Sequence, residues 1–141
     1  MHPDVKGFFD EATNTVTYVV SDPGSGLSAV IDPVLDFDQA SGRTSTRSVD
    51  AVIDFVRAHQ LDVVWILETH AHADHLTAAQ HLKDQVGGRT GIGKYITRTQ
   101  QIFKKIFNLD DAFHADGRQF DQLLDDGDSL ELGELQIQVI H

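Results

Sequence analysis

The 141-residue sequence has no cysteine, three prolines and one tryptophan, and its 11 basic residues are outnumbered by 22 acidic ones. Because cysteine is absent, disulfides, iron–sulfur clusters, cysteine-ligated zinc fingers and a thiol nucleophile are excluded within this chain. No apolar run approaches the roughly 18 residues that a membrane-spanning helix needs. The formal charge of −11 disfavours nucleic acid and anionic membranes as partners.

The remaining composition is that of an ordinary globular domain, with 40% apolar and 23% charged residues. No linker or internal repeat divides the chain, and we expect one domain over residues 1–141. The first residues lack the basic and then apolar layout of a secretory signal, so a cytoplasmic protein is expected.

Hydrophobic periodicity predicts an α/β fold with a mixed sheet. A nearly continuous apolar run at 61–67 is typical of a strand buried on both faces, and 36–46 is expected to be a loop. The other predicted strands are 15–21, 28–32, 89–94, 130–132 and 135–139. The predicted helices are one starting at Thr46 or Ser48 and ending near His59, one with the stripe Leu76, Ala79, Leu82 and Val86, and one with a stripe over 102–107.

Three of the eight histidines fall within six residues, directly after the apolar run. Along extended backbone, residues two apart point the same way, so His70 and His72 can converge on one ion. Asp74 and His75 can face the same point where the chain turns into the next helix, although Asp74 alone could instead cap that helix. Such nitrogen and oxygen ligands suit zinc, iron or manganese, at one or two metal positions.

The segment Thr69-His70-Ala71-His72-Ala73-Asp74-His75 resembles the signature of the metallo-β-lactamase superfamily. Upstream, Val30-Ile31-Asp32-Pro33 resembles that family's strand-end aspartate, and Asp126-Gly127-Asp128 with the following hairpin resembles its approach to the next ligand. The resemblance covers nearly the whole chain and implies the N-terminal half of an αβ/βα sandwich. In the family a Pro-Gly-His segment supplies the next ligand. Val139-Ile140-His141 resembles the lead-in to it, so we expect the chain to stop just before it.

Within the superfamily, Thr69 to Ala78 most resembles the persulfide dioxygenases and their bacterial β-lactamase-like relatives. That resemblance implies oxidation of glutathione persulfide by a single Fe(II), with His70 as an iron ligand and His72, Asp74 and His75 around the site. Glyoxalase II enzymes share much of the pattern. For them it implies that His70, His72, Asp74 and His75 bind two zinc ions, which generate hydroxide to attack a thioester.

We therefore expect a metalloenzyme with His70, His72, Asp74 and His75 as metal ligands and Asp74 also as a catalytic residue. Fe(II) is favoured over two zinc ions, and a small thiol such as a glutathione derivative is the expected substrate. A zinc hydrolase of glutathione thioesters is the alternative. A non-catalytic metal-binding or assembly fragment is a third reading, and a homo-oligomer is left open.

The sequence leaves two roles open for Asp32: it orients a ligand histidine, or it is only a turn residue before Pro33. Lys94, Tyr95 and Arg98 could form a basic patch for a glutathione carboxylate, but the start of a helix explains them equally well.

Overall fold

A computed structural model gives the fold and describes residues 2–11, 14–38, 40–69, 76–94, 96 and 120–140. The described elements, in chain order, are β1 (Asp4–Asp10), β2 (Thr15–Ser21), β3 (Leu27–Ile31), β4 (Val34–Asp38), β5 (Arg43–Ser45), α1 (Arg47–Ala58), β6 (Asp62–Glu68), β7 (Leu76–Thr77), α2 (Ala79–Val86), β8 (Arg89–Gly93), β9 (Gln122–Leu124), β10 (Ser129–Leu132) and β11 (Leu135–Gln138).

A six-stranded sheet in the order β1-β2-β3-β6-β8-β9 forms the centre of the fold. Strands β1, β2 and β3 are antiparallel neighbours, whereas β3, β6, β8 and β9 run parallel. The smaller sheets are the β10–β11 hairpin and β5-β4-β7. The predicted α/β fold with a mixed sheet is confirmed.

The apolar run of β6 is explained by burial on both of its faces. Successive strand residues point to opposite faces, so Ile66 packs beneath the helices while Trp65 and Leu67 join a second core under the hairpin. The parallel pairing of β3 with β6 is irregular at one point, where the register shifts between Ser28 and Ala29 of β3. A strand covered on both sides needs no polar alternation.

Helix α1 confirms its predicted periodicity, because the apolar positions Val49, Val52, Ile53 and Val56 are all buried. Thr46 stands at its N-cap without a capping hydrogen bond, and its hydroxyl donates to the Asp50 carboxylate at 2.9 Å. Helices α1 and α2 cover one face of the sheet and the β10–β11 hairpin covers the other. Over the described ranges, no helix is long and apolar enough to cross a membrane.

Two sequence-based expectations differ from the structure, and two strands were not predicted. The segment 36–46 is not a loop throughout, since β4 extends to Asp38 and pairs with β5 across a turn at Gly42, whose φ is +70°. The apolar stripe of the second helix does not begin at Leu76, because Leu76 and Thr77 pair with β4 as β7. Strands β1 and β9 were not predicted, and the helical stripe over 102–107 lies outside the described residues.

Candidate metal centre

The four predicted metal ligands lie in the segment 70–75, which is outside the described residues. Their roles therefore stay a prediction. Among the residues that the structure does describe, no three His, Cys, Asp or Glu side chains are grouped to hold a metal ion. The structure does show the residues on both sides of this segment, because β6 ends at Glu68 and β7 begins at Leu76.

Asp32 holds Thr69, the residue directly before this segment, by hydrogen bonds. Its carboxyl oxygens accept hydrogen bonds from the Thr69 backbone N–H at 2.8 Å and from the Thr69 hydroxyl at 2.6 Å. The Asp32 N–H donates to the Leu67 carbonyl at 2.8 Å, which ties the ends of β3 and β6 together. Asp32 is buried and has φ +57°, a conformation that aspartate tolerates better than most residues. It is therefore more than a turn residue, because it fixes the position directly before His70.

Glu68 is a buried carboxyl group at the end of the central strand, only 6% exposed. By alternation from Ile66 it lies on the helix face of the sheet. The Thr77 hydroxyl donates a hydrogen bond to Glu68 Oε1. Burial raises the pKa of Glu68 to about 8, an effect that the Thr77 hydrogen bond opposes and the nearby Asp32 carboxyl reinforces. Glu68 was not predicted from the sequence, where its one signal is a carboxyl group directly after the apolar run.

The exit of the segment is tied to the same turn as its entry. In the β4–β7 pairing, Thr77 lies opposite Val34, and the Ala78 N–H donates to the Pro33 carbonyl at 3.1 Å. The Thr77 hydroxyl oxygen also accepts from the Ala79 N–H at 3.1 Å, at the start of α2. The residues on both sides of the 70–75 segment are thus held against the Asp32–Pro33 turn.

The chemistry of this corner fits a bound cation. Buried Asp32 and Glu68 bring two carboxyl groups to the carboxyl ends of the parallel strands β3 and β6, where open α/β sheets carry their ligand sites. The anchored segment adds three imidazoles and a carboxylate by sequence, which is a donor set for zinc, iron or manganese.

The predicted basic patch is described only at Lys94. Its ammonium group lies 2.8 Å from a carboxylate oxygen of Asp125, in a half-exposed ion pair. Tyr95 and Arg98 lie outside the described residues, so the patch remains a prediction.

Comparison with known sequences decides the family. The sequence profile of the metallo-beta-lactamase superfamily matches residues 10–141, which include the anchored segment and the strands that hold it. The chain belongs to the metallo-β-lactamase superfamily. The resemblance drawn from the histidine segment is thereby confirmed, and the superfamily fold implies a metal cofactor.

Proteins similar in sequence to this metallo-β-lactamase-superfamily chain are named for different activities. It is 56% identical over 137 residues to a Burkholderia pseudomallei protein named "probable metallo-hydrolase", and 42% identical over 123 residues to glyoxylase B2 of Dictyostelium discoideum. It is 24% identical over 134 residues to the human mitochondrial persulfide dioxygenase ETHE1. These matches cover 97%, 86% and 95% of the chain but 47%, 42% and 41% of the relatives. The chain thus spans less than half the length of each.

The crystal structure of ETHE1 from Myxococcus xanthus superposes on this metallo-β-lactamase-superfamily chain with a TM-score of 0.66. The match covers 96% of the chain and 46% of that structure, at 23% sequence identity. At this identity the likeness concerns the fold alone, and it agrees with the predicted sandwich half.

Proposed function

We propose that the protein carrying this chain is a metal-dependent oxygenase of the persulfide dioxygenase type, acting on glutathione persulfide. The observation that supports the metal site is that the residues flanking the 70–75 segment are held, Thr69 by Asp32 and Ala78 by Pro33. The resemblance of Thr69 to Ala78 to the persulfide dioxygenases and the relative of that name support the oxygenase branch.

The proposed reaction converts glutathione persulfide, O₂ and water into glutathione, sulfite and two protons. A bound Fe(II) would supply open coordination positions for oxygen and the sulfur substrate. In this proposal His70 is an iron ligand, and His72, Asp74 and His75 complete or surround the site. Asp32 holds the backbone and hydroxyl of Thr69, so it fixes the direction in which the chain leaves β6 towards His70.

A zinc hydrolase of glutathione thioesters is the second candidate. It is favoured by the higher identity to the metallo-hydrolase and to glyoxylase B2. In that case His70, His72, Asp74 and His75 would all bind a two-zinc centre, and Asp74 would serve catalysis from within it.

Oxygen uptake with glutathione persulfide tests the proposal. We expect the purified iron-loaded protein to consume oxygen and His70→Ala to fall to the buffer rate. The matched control is His59→Ala, because His59 is exposed just after α1 and contacts the ring of Phe55. Equal uptake by wild type and His70→Ala would refute the oxygenase. Two zinc ions per chain with hydrolysis of lactoyl-glutathione would establish the second candidate instead.

A further inference from the structure

We propose that Glu68 is a positioning residue that joins the two ends of the 70–75 segment and thereby sets the affinity and geometry of the metal site. This inference rests on the proposed function in one respect, namely that this segment binds a metal. It assigns Glu68 a role through the segment and no contact with substrate.

The first argument is the burial of a carboxyl group where an apolar side chain would pack. Glu68 follows Ile66 and Leu67 in the central strand and is as buried as its apolar neighbours. A buried carboxyl group is costly unless hydrogen bonds replace its lost hydration. Its partners, rather than hydrophobic packing, therefore account for glutamate at this position.

The second argument is where those partners lie. Glu68 stands two residues before His70, and its partner Thr77 stands two residues after His75. Both belong to strands with their own partners, since β6 lies between β3 and β8, and β7 pairs with β4. The hydrogen bond from Thr77 to Glu68 therefore connects the residues before the 70–75 segment directly to those after it.

The Glu68–Thr77 contact adds to the anchors at the Asp32–Pro33 turn, which hold the entry and the exit separately. Asp32 binds Thr69 on the entry side, and the Pro33 carbonyl binds Ala78 on the exit side. Fixing the distance between the ends reduces the conformations open to the six residues between them. Metal sites need donors held within about 0.5 Å of their working positions, and outer groups that hold them change metal affinity by about 10–100-fold.

Paired substitutions separate this role from a general effect on folding. Glu68→Ala and Thr77→Val remove the contact. Glu68→Gln keeps an oxygen that can accept from Thr77 and gains an amide donor, and Thr77→Ser keeps the hydroxyl. The matched control is Asp22→Asn, because Asp22 is a buried carboxyl at the opposite end of β3, bonded to Ser25 and Glu134.

Titration with Co²⁺ measures affinity by chelator competition and ligand geometry by the visible absorption spectrum. We expect Glu68→Ala and Thr77→Val to bind Co²⁺ about 10–100-fold more weakly with an altered spectrum. Glu68→Gln, Thr77→Ser and Asp22→Asn should keep the wild-type spectrum. Because Thr77 is exposed, Thr77→Val tests the proposal even if Glu68→Ala does not fold.

Wild-type affinity and spectrum in a folded Thr77→Val, and in Glu68→Ala if it folds, would overturn the inference and leave the proposed metal site intact. Failure of the wild-type protein itself to bind Co²⁺, Fe²⁺ or Zn²⁺ would instead reject the metal site, and the positioning role with it.

Discussion

Replacement of Asp32 tests how strongly the turn after β3 is held. Two features of this residue can be separated by substitution, namely its carboxyl group and its φ of +57°. Asp32→Gly removes the carboxyl group and leaves the backbone unstrained. Asp32→Ala removes the carboxyl group and adds strain, whereas Asp32→Asn keeps one oxygen acceptor and tolerates positive φ.

The magnitudes follow from the two hydrogen bonds that Thr69 donates to Asp32, at 2.8 and 2.6 Å. A hydrogen bond to a charged group contributes about 1.5–3 kcal/mol, so Asp32→Gly should lose about 3–6 kcal/mol. Asp32→Ala should lose about 1–2 kcal/mol more, because non-glycine residues resist positive φ. Asp32→Asn should lose about 1–3 kcal/mol.

Urea unfolding of the metal-free protein at pH 7 provides the assay, with the fluorescence of Trp65 as the probe. Trp65 is the one tryptophan of the sequence and is 9% exposed, so unfolding changes its surroundings. Gln60→Ala and Gln60→Gly are the matched controls, because Gln60 is exposed and has φ +54°. Their difference measures the backbone effect alone.

The refuting results are equally specific. An Asp32→Gly protein within about 0.5 kcal/mol of wild type would show that the bonds to Thr69 do not hold the turn. An Asp32→Ala protein as stable as Asp32→Gly, with Gln60→Ala less stable than Gln60→Gly, would show that the positive φ at position 32 is not retained.

Two further predictions concern the end of the sheet opposite the 70–75 segment. A Cβ at Gly133, where φ is +62°, would collide with the Asp22 carboxylate, so Gly133→Ala should cost about 2–4 kcal/mol in urea unfolding. Gly127→Ala, with φ +87° and nothing within 4 Å, should cost about 1 kcal/mol, and equal losses would contradict this account. Hydrogen bonds from the Glu134 N–H and the Ser25 hydroxyl hold the pKa of Asp22 below its ordinary 3.8. The carboxylate's stabilisation is present above pH 3.8 and is lost as pH falls through the lower folded-state pKa, so the deficit of Asp22→Asn should shrink in acid. A deficit independent of pH would contradict it.

The elements found from the sequence are those whose pattern is local. Strand β2, helix α1 and the β10–β11 hairpin each show their own periodicity, so they could be predicted without knowing their neighbours. Strands β4, β5 and β7 could not, because β5 and β7 have only three and two residues and both depend on pairing with β4. Leu76 illustrates the difference, since it continues an apolar helical stripe in sequence yet lies in a strand beside β4.

For the candidate site, too, local sequence patterns could be predicted and long-range contacts could not. The histidines could be predicted as metal ligands, because their spacing suits a metal ion, and that role stays a prediction. The role of Asp32 was left open between two readings, because the bond that distinguishes them runs to Thr69, 37 residues away. Glu68 was missed since a glutamate after an apolar run is usually exposed at the strand end, and its burial is set by what packs over β6.

Two departures from ordinary folding rules lie at one corner of the sheet, and their closeness is an argument for function. Asp32 has positive φ and a buried carboxyl group, and Glu68 adds a second buried carboxyl group close to it. Apolar residues and a glycine would fill these positions without desolvation or strain. The buried carboxyl at the other end, Asp22, is satisfied within its own turn and by the nearby hairpin. Proteins retain residues that lower stability in this way where a functional site requires them. In the proposed metal site, the requirement is that Thr69 after β6 and Leu76 at the start of β7 be held in fixed positions.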